Sequence, residues 1–583
     1  MRSFFKIFLA TLLALAVFTV IVIFFIVTYI GGIANRQAPK VLAKSVLVLD
    51  LGQHYAEQLQ HNPLTILSGE EKNVPGLYDV VRLVRQAKVD DRISGIYLVA
   101  NNNANSFAAS EEIRNALKEF KTSGKFVLAH GDILTQQAYS VANIADKVYV
   151  SPQGFFDWAG YSVEYIFLKG ALDKLQIQPQ IFYAGKFKSA TEPLRADQMS
   201  PENELQTSVW LNDLYSDLLE KTSETRKVDT ATLRELAVSG VIRTPKDALD
   251  NKLVDALWYD DELKDEIKRR IKIDKYDRIN FITINTYSSV YTFSSATGGR
   301  IALIYAEGDI VDGEGSKGSI SGEQYRNLIR KARLDKSIKA IVLRINTGGG
   351  STLASESIWR EMTLAKAEKP VVVSFGDVSA SGGYYVSCAA DSIFASKVTI
   401  TGSIGVFGII PNMQSFFKDK VGVTFDGVKT GPYADLGAVY RPLEENERRM
   451  VQTSIDMIYS KFKQRVADGR KKDTAYIETI AQGRVWTGAR AREIGLVDYI
   501  GGIDDALQCA ARMAKLTQFN VRGYPEPQTL WEQLMGKKEV VNYKGAIESE
   551  IGADNYKVYL ELKRIREMTG QAQARLPFQF FIH

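Results

Sequence analysis

The sequence predicts an α/β protein made of two tandem copies of one parallel βαβ unit, standing behind a single N-terminal transmembrane helix. Three observations predict it: a long uncharged apolar run near the N-terminus, a self-similarity at a spacing of 245 residues, and short β-branched runs that alternate with helix-patterned stretches in both halves. Length agrees, because single cores stop growing near about 250 to 300 residues and this chain has 583. A composition of 45% hydrophobic and 24% charged residues excludes wholesale disorder.

From Ile7 to Ile30, 24 residues carry no charge. As a helix that run would measure about 36 Å, against a bilayer hydrocarbon core of about 30 Å. It exceeds the apolar stretch of a secretory signal, and no small-x-small cleavage site precedes Gly31 and Gly32, so residues 7–30 read as an uncleaved anchor. Arg2 and Lys6 favour a cytoplasmic N-terminus, but Arg36, Lys40 and Lys44 beyond the run weaken that argument. With no second run of comparable length, the chain after about residue 40 is expected on one side of the membrane as a single body.

The self-similarity changes the fold reading most. At the offset of 245, Ile93, Ile96, Leu98 and Asn101 fall on Ile338, Ile341, Leu343 and Asn346. Ser106, Ala109, Ser110, Glu111 and Ile113 fall on Ser351, Ala354, Ser355, Glu356 and Ile358. Gly131, Asp132, Tyr139 and Asp146 continue the register onto Gly376, Asp377, Tyr384 and Asp391. Buried-strand runs fill residues 301–307, 340–346 and 371–375 in one copy and 45–51, 95–101 and 125–130 in the other. Ile113, Leu117 and Phe120 keep the spacing of a helix face laid on a sheet. Strands alternating with helices imply parallel βαβ units. The expected units are residues 45–290, 298–515 and a C-terminal extension, 516–583, in which 554–566 has the pattern of a charged helix and 578–582 forms an apolar end.

Several function classes lose support. A net charge of +5 with no dense basic run gives no footprint for nucleic acid. Two cysteines, Cys388 and Cys509, supply neither a disulfide framework nor a metal set. His54, His61, His130 and His583 stand in no metal-ligand spacing, so neither a metal nor a cofactor is expected.

The segment Gly376–Tyr384 follows a buried strand and precedes a helical stretch, which puts Ser381 at a helix start, either as an N-cap or as a nucleophile. One strand earlier, the turn Asn346-Thr347-Gly348-Gly349-Gly350-Ser351 opens another helix at a strand's carboxyl end, where ligands of parallel sheets sit. Its glycines would let backbone N–H groups approach an acyl oxyanion. With no histidine nearby, the base would be a lysine whose burial keeps its amine neutral.

Four pieces in order, ASGGY at 380–384, TGSIG at 401–405, NTGGGS at 346–351 and KFKSATEP at 186–193, resemble the long, duplicated form of the bacterial signal peptide peptidase A family, peptidase family S49 of the Clp protease/crotonase superfamily. The resemblance implies two Clp/crotonase-like copies and a Ser/Lys dyad, with Ser381 as nucleophile and Lys188 as base. Lys186 is a competitor from the residues alone, and Lys188 matches the family pattern by preceding Ser189-Ala190. It further implies that Ser403 orients the lysine and that Gly349 and Gly350 supply oxyanion donors. Thr347-Gly348 stands where the family usually has Ser-Pro. The implied activity is a membrane-anchored endopeptidase that degrades cleaved signal peptides, with its body on the periplasmic side of the inner membrane and a homotetrameric ring as assembly. The competing readings are a non-catalytic membrane scaffold of the same fold and an acyl-CoA hydratase or isomerase of the crotonase branch.

The duplication adds a check. Ser381 falls on Gln136, and past one small length adjustment Phe182 pairs with Phe425 and Lys188 falls near Gly431. Each copy keeps one member of the dyad, so a site requires contact between a first copy and a second.

Overall fold

The computed structural model describes residues 2–34, 40–61, 73–291, 298–315, 318–526, 568, 570–576 and 581–582. A helix, Arg2–Ala34, carries the apolar run, and its window Phe4–Ile21 has a mean hydropathy of 2.4 with nothing packed on it. It is long and apolar enough to cross a membrane.

The β-branched runs form the strands they predict. In the first copy Ser45–Asp50, Ile93–Val99, Phe126–Leu134 and Lys147–Phe156 lie parallel and side by side, flanked by Phe281–Thr283 and Ala256–Leu257. Helices Leu77–Val89 and Phe107–Lys121 connect the first three of these and bury Val80, Val84, Ile113, Leu117 and Phe120 in the core of this copy. The second copy repeats the order with Gly299–Glu307, Ile338–Thr347, Val371–Ala380 and Ser392–Ala395, joined through helices Gly322–Leu334, Thr352–Lys366 and Gly382–Ser387. Its edge strand is Phe519–Tyr524, parallel to Gly299–Glu307, so this sheet runs past residue 515. The expected helix over 554–566 lies outside the described residues.

A third sheet binds the copies together. It runs Ser319–Ser321, Asp309–Val311, Gly349–Ser351, Ala572–Arg575, Val406–Asn412 and Gln178–Ala184. First-copy strand Gln178–Ala184 pairs antiparallel with second-copy strand Val406–Asn412 over seven residue pairs, from Ala184 on Val406 to Gln178 on Asn412. Charges lock the same junction. Arg344, 1% exposed, bonds Glu57 at 2.8 Å and Glu112 at 2.7 Å, both from the first copy. Its remaining donors meet Ser374 Oγ and the Phe375 carbonyl, so the buried cation has oxygen partners on every side. Asp377 of the second copy accepts from the N–H groups of Ala108 and Ala109 at the start of helix Phe107–Lys121, where an anion is favoured.

Candidate active site

The cross-copy strand delivers the lysine. After Ala184 the chain turns at Gly185, and Lys188 enters a short 3₁₀ turn, Ser189–Thr191. Gln206 braces the turn, donating to Ser189 Oγ and the Phe187 carbonyl and accepting from Val485 N–H. Glu192, buried, accepts from Ser200 Oγ and Asn203 Nδ2 and ties the SATEP stretch to helix Pro201–Arg226. The Lys188 stem runs between two glycines: a methyl group on Gly483 would stand 2.7 Å from Lys188 Cβ, and one on Gly405 3.1 Å from its Cδ.

Lys188, 1% exposed, ends against Ser381. Its Nζ donates to Ser381 Oγ at 2.8 Å, Ser403 Oγ at 3.0 Å and the Ser403 carbonyl at 3.1 Å. All three partners are neutral oxygens, and burial alone holds the amine's pKa well below the ordinary lysine value. Lys186 is exposed, with its ammonium over the Phe187 ring. The structure thus brings Lys188, and not its neighbour, to the serine.

Ser381 ends strand Val371–Ala380 and precedes helix Gly382–Ser387, but its side chain makes no cap hydrogen bond. Its φ of 55° and ψ of −111° are strained for a residue with a side chain. The surroundings impose that geometry: Ser381 N–H donates to the Gly402 carbonyl, and Tyr385 N–H to the Ser381 carbonyl. Ser403 also has a positive φ, 50°, and its N–H donates to the Arg484 carbonyl, which fixes both serines toward the amine.

The two candidate oxyanion glycines behave differently. Gly349, with φ of 103°, donates its N–H to Thr347 Oγ1 at 3.1 Å, so that amide is occupied within its own turn. Gly350 stands opposite Ala574 in the antiparallel pairing of Gly349–Ser351 with Ala572–Arg575. A methyl on Gly349 would come within 2.8 Å of Gly382 N, and one on Gly382 within 3.2 Å of Gly350 N. The Gly349 amide is thus bonded within its own turn, while the Gly350 amide lies next to Gly382. The Gly382 amide was legible as the residue after the candidate nucleophile, whereas the crowding that keeps residues 405 and 483 small is tertiary.

A serine hydroxyl bonded to a buried lysine amine whose pKa burial lowers, beside glycine amides, has the parts of an acyl-transfer enzyme. The pattern of peptidase family S49 matches residues 119–274 and 363–517, one stretch in each copy. Protease 4 of Salmonella typhi is 38% identical over 86% of this chain and 84% of its own. Protease 4 of Haemophilus influenzae is 32% identical over 85% and 82%. The chloroplastic serine protease SPPA of Arabidopsis thaliana is 34% identical over 74% of this chain and 64% of its own. The chain belongs to peptidase family S49, and it is a serine peptidase.

Proposed function

We propose that Ser381 is the nucleophile and Lys188 the general base of a membrane-anchored endopeptidase acting on extended, apolar peptides, cleaved signal peptides among them. The contact that carries this reading is the 2.8 Å hydrogen bond between Lys188 Nζ and Ser381 Oγ in a site where only burial acts on the amine. The neutral amine takes the Oγ proton as the oxygen attacks the peptide carbonyl. Charge on the carbonyl oxygen goes to the Gly350 and Gly382 amides. The ammonium then protonates the leaving amine, and the acyl group stays on Ser381 as an ester. Water attacks that ester while Lys188 takes its proton, the ammonium returns that proton to Ser381 Oγ as the acyl C–O bond breaks, and the second product leaves as a carboxylic acid. Ser403 holds the amine throughout.

Helix Arg2–Ala34 would tether the body to the bacterial inner membrane, with the body on the periplasmic face. Tethering raises the local concentration of peptides leaving the lipid. For assembly we propose a homotetrameric ring. First-copy strand Gln178–Ala184 reaches a second copy within the chain. The matching stretch of the second copy, residues 421–427, lies at the surface outside any strand, with Val421, Val423 and Phe425 exposed. Placing it on the first copy of a neighbour gives a head-to-tail contact that closes into a ring.

The test is hydrolysis of defined peptides by the detergent-solubilised full chain, with products read by mass spectrometry. Leu/Ala-rich peptides should be cut faster than charged ones. A folded Ser381→Ala chain working at the wild-type rate would remove the assignment. Protease accessibility in spheroplasts checks the side of the membrane, and sedimentation of the wild-type chain beside a Val423→Asp/Phe425→Asp double variant checks the ring.

A further inference from the structure

A strand of the chain's own C-terminal extension lies between strands Gly349–Ser351 and Val406–Asn412, next to Ser381. Ala572–Arg575 runs antiparallel to both, with Arg575, Ala574 and Gln573 opposite Gly349, Gly350 and Ser351, and Gln573 and Ala572 opposite Phe407 and Gly408. Leu576 N–H donates to the Gly348 carbonyl at 2.6 Å, and Gly570 N–H to the Ile409 carbonyl at 3.1 Å. Bonded pairs alternate in an antiparallel ladder. Two residues before the Leu576–Gly348 pair, the Ala574 carbonyl therefore accepts from Gly350 N–H, the amide assigned above to the oxyanion. The same oxygen would lie 3.0 Å from a methyl group on Gly382 and 2.0 Å from one on Gly349, so only a glycine at 349 lets this strand approach.

The side chains fit as a ligand's would. Ala574 is fully buried, and Leu576 packs with Ala380, Val398, Ile400 and Trp210. Arg575 is 6% exposed and ion-paired with Asp309, and burial pushes its pKa down to about 10. A buried cation on one carboxylate makes a weak anchor, which suits a segment that a competing peptide displaces. Beyond it, Phe581–Ile582 pairs antiparallel with Val163–Glu164 and ties the tail to the first copy.

We propose that residues 570–576 are a tethered pseudosubstrate, which occupies the peptide cleft with the Ala574 carbonyl in the oxyanion position and small side chains at Ala572 and Ala574. The full chain is therefore held partly latent, and its cleft selects extended peptides with small residues two positions apart. This inference rests on the Ser381–Lys188 reading for its effect on turnover, but not for binding. Tethering sets an effective concentration of about 1 mM, so a strand whose untethered dissociation constant lies about tenfold lower would suppress turnover about tenfold.

The experiment compares the full-length wild type with full-length Ala574→Trp, whose side chain does not fit the buried position. The variant should show roughly tenfold higher kcat/KM on a short peptide, and a synthetic peptide of residues 570–578 should inhibit it competitively. Because Trp in a core strand also tests folding, the same peptide, fluorescently labelled, is titrated against full-length Ser381→Ala/Ala574→Trp and Ser381→Ala chains by anisotropy. It should bind the double variant more tightly, and its own Ala574→Trp version should not bind. Equal turnover by wild type and Ala574→Trp, or equal peptide affinity in the two Ser381→Ala chains, overturns the proposal. Peptide binding with the expected preference while no chain hydrolyses anything would leave the tail assignment standing and remove the dyad instead.

Discussion

The two copies meet their equivalent turns with opposite chemistry. In the second copy the strand-to-helix turn carries Ser381, strained and uncapped, with its hydroxyl turned to Lys188. In the first copy the same turn carries Thr135, which accepts from Ala138 N–H as an ordinary cap, and Gln136, which exchanges hydrogen bonds with the Gly160 backbone. The neighbouring turns differ likewise. Gly348-Gly349-Gly350 leaves space for an incoming backbone, whereas Asn103-Ala104-Asn105 fills it, the Asn105 side chain bonding the carbonyls of Leu51 and Gln53 and the amide of Tyr55. One fold can therefore satisfy its turns from within or leave them for a substrate. The copy that closed its turns supplies the lysine strand instead, so the Ser381–Lys188 contact takes one residue from each half.

The largest effect that would break this comparison is loss of catalysis confined to one copy. Ser381→Ala should lower kcat by about 10⁴-fold or more, while Gln136→Ala leaves kcat near wild type and lowers only the melting temperature. Lys188→Met should cost about 10³-fold, and Lys186→Met almost nothing, as read by the same peptide assay. Equal sensitivity of the two lysines would contradict the geometry.

Next in size, Gly350→Ala should reduce kcat by about 10² to 10³-fold by displacing an oxyanion donor, and it should also lower stability because the new methyl would stand 2.0 Å from the Ile310 carbonyl oxygen. The first-copy counterpart, Asn105→Ala, should destabilise by about 1 to 3 kcal/mol, because it leaves buried backbone groups unpaired, but leave the kcat of the folded chain near wild type, so peptide turnover per folded molecule separates the two variants. Ser403→Ala removes one of three contacts to the amine and should slow turnover about tenfold.

The smallest and most diagnostic effects follow pH. Only the neutral amine accepts the Ser381 proton, so kcat/KM should rise with pH through the lowered pKa of Lys188 and level off below the ordinary lysine range. Stability follows by linkage. Between the lowered folded pKa and the unfolded value the unfolded chain binds the extra proton, so unfolding free energy gains with rising pH there. Lys188→Met should remove that gain and raise the melting temperature near neutrality, as read by thermal melts across pH.

Much of the scaffold was legible because strand runs and helix faces are local patterns. Residues 301–307, 340–346 and 371–375 lie within strands Gly299–Glu307, Ile338–Thr347 and Val371–Ala380. Harder to read was the C-terminal extension: Phe519–Tyr524, Ala572–Arg575 and Phe581–Ile582 add to sheets built hundreds of residues earlier. AQAR and FI carry no strand signal of their own, because their pairing energy comes from the edges they join.

The amino-acid sequence by itself determined the duplication, the apolar helix, and which residue types stand at the strand ends: a serine without a histidine, a run of glycines, and two lysines. Those are properties of spacing and chemistry along the chain. Only the tertiary structure decided that Lys188 and Ser381 meet within one chain, that Lys188 rather than Lys186 reaches the serine, and that Gly349 spends its amide on Thr347 while Gly350 stands opposite Ala574. The physical reason is that a pKa, a hydrogen bond and a clash depend on distances of about 3 Å, and residues 188, 381 and 403 acquire those distances only when strand Gln178–Ala184 crosses to Val406–Asn412 and buries the amine away from water.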